Sequence, residues 1–299
     1  GREVTYGEFD RLSTQVALHL RANMPDALDR WGKDAICGVH FGRSAEWYIV
    51  MMGVVKAGGA YLALDPDFPV NRLSFFMEDS KAVVNLTTPE YVGTLTYTGH
   101  TIIVDDDFWT AVKAVDVPAE GLPYTDWMEP NSPLLVLYTS GSTGTPKGVI
   151  LEHRNMTHLM YTGASFQLAL WPKEQQRYVQ GSSSSFAAAA EETWLSVATA
   201  SALLIVQTAD MQDFERMCNV IKQYEGTVLS TVPSLLAALE PEQIPTLKIL
   251  IISGEALSTD VLKKHSDKVL LNCYGQSECT SASTLDVCTA ARASSIGRP

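Results

Sequence analysis

Short apolar segments alternate with helical patterns along this chain, and the alternation constrains its fold more than any other feature. In the second half, runs rich in Val, Ile and Leu alternate with helical stretches such as 214–224 and 234–239. Such alternation is typical of parallel sheets covered by helices on both faces. The predicted strands are 134–138, 202–206, 227–231, 248–252 and 269–271. We therefore expect an α/β protein whose ligands lie beyond the carboxyl ends of these strands.

The first half shows the same alternation. Residues 9–20 have helical spacing, and the segments 36–41 and 61–64 are predicted strands. Ala45–Lys56 is apolar nearly all round, which indicates a buried helix. We expect helices and strands here to build a sheet of the same kind.

A long polar connection separates the two halves. Residues 115–133 are rich in proline and acidic residues, which is typical of a surface segment. A chain of 299 residues is long enough for two packed lobes. We expect a first α/β subdomain at 1–125 and a second at 126–299.

Composition excludes several classes of function. The net charge of −12 argues against nucleic-acid and anionic-membrane partners, because both require a basic surface. The five cysteines show no CxxC spacing and the six histidines no HExxH spacing, so neither a disulfide framework nor a zinc site is predicted. No signal-peptide pattern is present at the start. We expect a cytoplasmic protein with no membrane partner.

A loop rich in hydroxyls and glycines follows the predicted strand 134–138. Residues 139–148 read TSGSTGTPKG and carry one charge, that of Lys147. Hydroxyls and backbone N–H groups bind phosphate oxygens, and a lysine adds a positive charge. The loop has neither the GxxxxGK[ST] nor the GxGxxG spacing. A flexible linker has a similar composition, but the position at a strand end favours a phosphate-binding loop.

Six motifs in a fixed order narrow this interpretation. They are TYGEF at 5–9, AGGAYLALDPDFP at 57–69, YTSGSTGTPKGV at 138–149, SGEAL at 253–257, YGQSE at 274–278 and IGRP at 296–299. The series resembles the superfamily of adenylate-forming enzymes, which includes acyl-CoA synthetases, luciferases and the adenylation domains of nonribosomal peptide synthetases. The longer segment 55–69, together with Arg72-Leu73 and Asp79-Ser80, is most similar to the peptide-synthetase branch.

This resemblance implies a fold and a reaction. The expected fold is the large N-terminal core of an adenylate-forming enzyme, with two stacked, mostly parallel sheets covered by helices, ending before the C-terminal lobe. The implied reaction joins a carboxylic acid to AMP from ATP, with Mg²⁺, before loading onto the phosphopantetheine of a carrier. The implied partners are the acid and the carrier and condensation domains of one synthetase. Without the C-terminal lobe, we expect weak or no activity.

The resemblance also assigns roles to single residues. Lys147 would bind the leaving phosphates, Ser277 would contact the α-phosphate, and Glu278 would help bind Mg²⁺; these are the expected catalytic residues. Outside the motif order, Tyr274 would be interpreted as a core aromatic and Glu278 as a surface acid. The expected nucleotide-binding residues are Thr139, Ser140, Gly141, Ser142, Thr143, Gly144, Lys147, Gly254, Glu255, Asn272, Cys273 and Tyr274.

The acyl pocket departs from the family pattern. Family members that take α-amino acids have an aspartate after the phenylalanine that aligns with Phe186, whereas this chain has Ala187. A buried ammonium group without an anion is costly, so the substrate either lacks that group or places it on Glu191. The expected pocket residues, here called the acyl wall, are Phe186, Ala187, Ala188, Glu191, Ser230, Ile251, Ser253, Cys273, Ser281 and Ala282. Most are small, which predicts a bulky acyl group.

Three functions are compatible with the sequence. The first is activation of a bulky or modified amino acid, such as an acylated hydroxyornithine of siderophore synthesis, with its amine on Glu191. The second is an acyl- or aryl-CoA ligase for an acid without an α-amino group, in which case Glu191 is an ordinary acid on a helix face. The third is a nucleotide-binding fragment without catalysis.

Overall fold

The computed structural model describes residues 2–24, 31, 33–119, 121–122, 128–141, 144–170, 175–289 and 295–297. The chain divides into two compact units, Gly1–Arg154 and Asn155–Pro299. Each unit is built around one six-stranded sheet.

The first unit carries a sheet of strand order β4-β3-β1-β2-β5-β6. Its elements are α1 (Tyr6–Asn23), β1 (Ile36–His40), α2 (Ala45–Lys56), β2 (Ala60–Ala63), α3 (Val70–Asp79), β3 (Val84–Thr87), β4 (His100–Ile103), α4 (Asp106–Lys113), β5 (Pro133–Thr139) and β6 (Lys147–Glu152). Neighbouring strands are parallel except for β5 and β6, which pair antiparallel.

Helix α3 covers one face of the first sheet. Its residues Phe76 and Met77 pack with Leu62, Val136 and Tyr138 from the strands in one buried cluster. Burial of this apolar area supplies much of the stability of the unit. The cluster reaches Tyr138, so it extends to the carboxyl end of β5, where the glycine-rich loop begins.

The second unit carries a sheet of order β12-β11-β10-β9-β7-β8. Its elements are α5 (His153–Leu170, which begins at the boundary), β7 (Arg177–Gln180), α6 (Ala187–Ala198), β8 (Ala202–Ile205), α7 (Thr208–Met211), α8 (Phe214–Gln223), β9 (Val228–Thr231), α9 (Pro233–Ala238), β10 (Ile249–Ile252), α10 (Thr259–Lys264), β11 (Val269–Tyr274) and β12 (Thr284–Val287). The strands are parallel except for β12, which pairs antiparallel with β11.

The two faces of the second sheet belong to different clusters. Successive side chains of a strand point to opposite faces. In β10, Leu250 and Ile252 pack with residues of α8, α9 and α10. Ile249 and Ile251 pack instead with Leu195 of α6. Helix α6 therefore lies on the opposite face from α8, α9 and α10.

The structure confirms the predicted fold class of two mostly parallel sheets covered by helices. The predicted strands 134–138, 202–206, 227–231, 248–252 and 269–271 correspond to β5, β8, β9, β10 and β11. The division of the chain, however, lies at 154/155 and not at the expected 125/126. The reason is that β5 pairs with β2, and β6 with β5, so both complete the first sheet. None of the described helices has the length and apolar character needed to cross a membrane.

Candidate functional site

The glycine-rich loop of the first unit closes a hairpin between β5 and β6. Thr139 pairs with Lys147 at its base, and Gly144 donates a backbone hydrogen bond of 2.9 Å to the carbonyl of Gly141. A Cβ on Gly141 would lie 2.1 Å from the carbonyl oxygen of Thr145, so a side chain there would displace the loop. Two further candidates, Ser142 and Thr143, lie outside the described residues.

The two faces of this hairpin differ in character. Thr139 and Lys147 lie opposite each other and share one face, whereas Tyr138 points to the other face. Lys147 and Ser140 are exposed, and Tyr138 is buried against α3. An exposed ammonium beside hydroxyls and close backbone suits an anionic ligand such as a phosphate. This arrangement agrees with the role expected for the loop.

In the second unit, the acyl-wall residues on strands gather at the carboxyl edge of the sheet. Ser230 lies in register with Ile251, and Ile251 with Leu271. Cys273 in β11 and Ser253, directly after β10, each follow two residues further along, and the Ser253 N–H still bonds to the carbonyl of Thr231, so all four acyl-wall side chains share one face. Ile251, Cys273 and Ala282 belong to the same buried cluster. The structure therefore brings these residues together.

Glu191 is a buried carboxyl group on the same side of the sheet. Only 7% of the residue is exposed, and its Oε2 accepts a hydrogen bond of 2.6 Å from Ser281 Oγ. Burial raises the pKa of Glu191, and the bond from Ser281 lowers it in part. Ser281 and its neighbour Thr280 have left-handed backbones, with φ of 72° and 60°. This is a strained conformation for residues with a Cβ, and it holds the hydroxyl against the carboxyl group.

Cys273 lies close to Glu191 and keeps its proton. Burial raises the pKa of the thiol, and the nearby charges of Glu191 and Cys288 raise it further. A protonated thiol is a poor nucleophile. Cys273 is therefore a small, neutral part of the acyl wall.

The amino-terminal end of α6 carries the remaining acyl-wall residues. Ala187 and Ala188 are the first residues of the helix and are partly buried, and Phe186 before them is 54% exposed. Glu192 was not singled out from the sequence, but it is buried and accepts a hydrogen bond of 2.8 Å from Ser182 Oγ. Two adjacent acids in an otherwise apolar stretch, AAAAEETWL, were the signal available for it.

The expected adenine-binding residues take different positions. Tyr274 ends β11 with 55% of its surface exposed. Asn272 points to the opposite face from Cys273, and its side-chain amide donates a hydrogen bond of 2.8 Å to the carbonyl of Ser295. Tyr274 is therefore available to a ligand, whereas the amide donor of Asn272 already has a partner within the chain.

The other expected nucleotide contacts lie in loops after β10 and β11. Gly254 has a left-handed backbone with φ of +84°, and Glu255 accepts two hydrogen bonds of 2.9 Å from the backbone and hydroxyl of Ser234. Ser277 and Glu278 lie in the 3-10 turn Ser277–Cys279, where Glu278 is exposed.

A Mg²⁺ ion bound with a nucleotide takes only one or two protein carboxylates, since phosphate oxygens and waters supply its other ligands. Within the described ranges, no three His, Cys, Asp or Glu side chains form a metal-binding group. The single exposed carboxylate of Glu278 fits an ion that arrives with a nucleotide better than it fits a permanent metal centre.

Sequence comparison connects these features to known proteins. A linear gramicidin synthase of Brevibacillus parabrevis is 33% identical over 99% of this chain, which corresponds to 4% of that protein. Tyrocidine synthase 1 of the same organism is 30% identical over 95% of the chain, which corresponds to 25% of that protein. The chain thus spans a quarter or less of the length of these two relatives.

Structure comparison shows the same fold in solved proteins. The N-terminal subdomain of Klebsiella oxytoca NpsA has a TM-score of 0.82 at 23% identity, covering 100% of this chain and 75% of that one. The nonribosomal peptide synthetase FmoA3, in its alpha-methyl-L-serine-AMP bound form, has a TM-score of 0.80 at 23% identity, covering 97% of this chain and 32% of that one. The match to the family described as AMP-binding enzyme extends over residues 1–299, so the chain belongs to the AMP-binding enzyme family.

Proposed function

We propose that this chain activates a carboxylic acid as an acyl-adenylate with ATP, for loading onto the phosphopantetheine of a carrier domain. The observation that carries the proposal is the β5–β6 hairpin, in which Lys147 and Thr139 share one exposed face beside the close backbone at Gly141. Membership of the AMP-binding enzyme family supports it. Further support comes from the FmoA3 structure, whose name includes an amino acid joined to AMP.

The chemistry needs charge stabilisation more than covalent catalysis. A carboxylate oxygen bonds to the α-phosphorus of ATP, and the bond from that phosphorus to the oxygen bridging to the β-phosphate breaks. Pyrophosphate leaves with the bonding electrons and gains negative charge. We propose that Lys147 and the hydroxyls of Thr139, Ser140, Ser142 and Thr143 stabilise this leaving group.

The remaining contacts orient the nucleotide. In this proposal Tyr274 and the backbone of 254–255 contact the adenine, while the hydroxyl of Ser277 donates to the α-phosphate. Mg²⁺ supplies positive charge to the phosphate oxygens when it is bound, and Glu278 is the residue that would hold it. Each contact holds the α-phosphorus in place for the incoming carboxylate.

The proposed substrate class is a bulky acid with a basic nitrogen. Glu191 is a buried carboxyl group whose Oε2 is bonded to Ser281. Ser281 is neutral, and among the described residues no opposite charge offsets ionised Glu191, so the buried charge is costly unless a ligand brings a partner. An ammonium group of the substrate would provide it. Small residues elsewhere in the acyl wall leave room for a large group, such as a modified ornithine.

A second candidate is an acid without an α-amino group. Ala187 removes the usual ammonium partner, and NpsA structures were solved with 3-hydroxybenzoyl-AMSN and anthranilyl-AMSN. In this case neutral Glu191 would donate a hydrogen bond to a hydroxyl or carbonyl of the substrate. The proposed product would then be an aryl- or acyl-adenylate for a CoA-type ligase.

The proposed setting is a cytoplasmic peptide synthetase. The first-named relatives are synthetases far longer than this chain, and an artificially fused adenylation-carrier protein of NpsA and ThdA has the same fold at a TM-score of 0.81. We therefore propose a peptidyl carrier domain and a condensation domain as partners.

The deciding experiment is acid-dependent ATP–pyrophosphate exchange with the full-length protein. The panel contains basic and hydroxylated ornithines, common α-amino acids, 2-hydroxy acids and aryl acids. Exchange with the amine-bearing acids supports the first candidate, and exchange with aryl or hydroxy acids alone supports the second. Absence of exchange with every acid, together with measurable ATP binding, would identify a nucleotide-binding domain without catalysis and refute the proposal.

A further inference from the structure

A tyrosine at the base of the β5–β6 hairpin is tied to a helix. Tyr138 Oη donates a hydrogen bond of 2.7 Å to Asp79 Oδ2, the carboxylate of the last residue of α3. The Tyr138 ring also stacks on Phe76, with 4.0 Å between ring centroids and an interplanar angle of 8°. The hydroxyl lies 3.3 Å from the carbonyl of Phe76, and Ser80 interacts with it as well. The two partners are 59 residues apart in sequence.

The position of Asp79 is unfavourable for the helix alone. A carboxylate at the carboxyl end of a helix meets the negative end of the helix dipole, where a lysine or arginine would be favoured. The hydrogen bond from a buried hydroxyl offsets this and is of the charge-assisted, stronger type. Burial and the Asp79 charge both raise the pKa of Tyr138, so the hydroxyl keeps its proton and stays a donor. The pair is therefore a fixed contact across the physiological pH range.

The contact determines which way the hairpin faces. Tyr138 is paired with Gly148, and a Cβ at Gly148 would lie 3.3 Å from the Tyr138 ring, so the ring lies close across the hairpin. The next pair, Thr139 and Lys147, points to the opposite face because side chains alternate along a strand. A rotation or slip of β5 at Tyr138 would therefore turn Lys147 and Thr139 away from their present face.

We propose that Tyr138 and Asp79 are positioning residues that hold Thr139 and Lys147 on the phosphate-binding face of the hairpin. Neither residue touches the nucleotide in this proposal. The proposal rests on the function proposed above for its effect on ATP, but its structural part is independent of that function. In this role Tyr138 and Asp79 neither change charge nor move during the reaction.

The first experiment measures amide hydrogen exchange in the full-length protein. Tyr138→Phe keeps the ring stack and removes the hydroxyl, and Asp79→Ala removes the carboxylate acceptor and leaves only the more distant carbonyl of Phe76. Both should raise exchange at residues 138–149 by roughly 3- to 10-fold, the range that corresponds to loss of one buried hydrogen bond. Asp79→Asn keeps an amide oxygen that can accept from Tyr138 and should restore exchange close to the wild-type rate.

A matched control exists in the same unit. Tyr97 also packs against the apolar cluster under α3, and its hydroxyl donates a hydrogen bond of 2.9 Å to the carbonyl of Ala82. Tyr97→Phe removes a comparable hydrogen bond at a distance from the loop in sequence. It should lower the melting temperature about as much as Tyr138→Phe but leave exchange at 138–149 unchanged.

The second experiment measures pyrophosphate exchange with the preferred acid. Tyr138→Phe and Asp79→Ala should raise KM for ATP by roughly 3- to 10-fold and leave KM for the acid unchanged, since the acid is bound elsewhere. The double variant should lose no more than either single variant, because one shared contact is removed.

Equal behaviour of the Tyr138→Phe and Tyr97→Phe proteins in the amide-exchange measurement would overturn the proposal. A rise in KM for the acid equal to that for ATP would also overturn it, because that result indicates a general loss of structure. If none of the tested acids supports pyrophosphate exchange by the wild-type protein, the proposed function fails. The amide-exchange result then still decides whether Tyr138 and Asp79 position the hairpin.

Discussion

Each sheet ends in an antiparallel hairpin, and the two hairpins are anchored differently. The β5–β6 hairpin is attached through Tyr138 to Asp79, and its exposed charge is the cation Lys147. The β11–β12 hairpin is attached through Ser281 to Glu191, whose charge is buried. The first arrangement suits a ligand common to a whole family, such as the phosphates of ATP. The second suits a variable ligand, because its polar contact lies among the acyl-wall residues.

The largest effect is expected from the exposed cation. Lys147→Ala removes the positive charge proposed to stabilise the leaving pyrophosphate, so kcat/KM for ATP should fall by roughly 100- to 1000-fold with every acid tested. Pyrophosphate exchange measures this. Lys113→Ala, on the exposed surface of α4 in the same unit, is the control and should behave like the wild type. An equal fall in kcat/KM for Lys147→Ala and Lys113→Ala would contradict the proposed role of the β5–β6 hairpin in stabilising pyrophosphate.

A selective effect is expected from the buried carboxyl group. Glu191→Gln keeps the shape and the bond from Ser281 but removes the charge, so kcat/KM should fall roughly 10- to 100-fold for amine-bearing acids. The kcat/KM for acids without an amine and the KM for ATP should be unchanged. The matched variant is Glu192→Gln, which changes the neighbouring buried acid bonded to Ser182. It should lower kcat/KM equally for acids with and without an amine. An equally unselective loss in Glu191→Gln would contradict binding of the amine by Glu191.

The smallest effect is a change in pH dependence. Burial raises the pKa of Glu191 and Ser281 lowers it, so Ser281→Ala should raise it further. The charged form of Glu191 is the one that attracts an ammonium group, and its fraction falls as the pH drops through this pKa. The acidic limb of kcat/KM for an amine-bearing acid should therefore move to higher pH, by up to about one unit. Ser283→Ala, on the exposed part of the same hairpin, should leave the limb in place.

The sequence predicted most of the strands but missed central as well as edge strands, since β3 (Val84–Thr87) and β7 (Arg177–Gln180) lie inside their sheets and were not predicted. Strand β10 is buried along its whole length, so its apolar run is continuous and easily recognised. Strands β4 (His100–Ile103) and β12 (Thr284–Val287) lie at the sheet edges with partly exposed residues, and neither was predicted. Edge strands pair on one side only, but the edge strand β8 was predicted, so position in the sheet does not by itself explain which strands were missed.

Contacts between residues far apart along the chain could not be predicted from the sequence. The motifs indicated Tyr138, Glu191 and Ser281 but not which residues contact each other, because the bonded residues lie far apart along the chain, as Ser281 and Glu191 do at 90 residues. The left-handed backbone at Thr280 and Ser281 occurs without glycine and therefore has no sequence signal. The boundary at 154/155 was missed for a similar reason, since proline and acidic residues mark a connection without showing which sheet the next strand joins.

The alternating faces of the second sheet have a consequence for how substrate range can change. Ser230 and Ser253 lie on the face of the acyl wall, whereas Leu229 and Ile252, each one residue away, lie in the apolar core on the other face. A single strand thus carries selectivity on alternate residues and folding stability on the others. We expect mutations at the two serines to alter the accepted acid at little cost in stability. Diversification under selection, or redesign in the laboratory, can therefore proceed along these strands one face at a time.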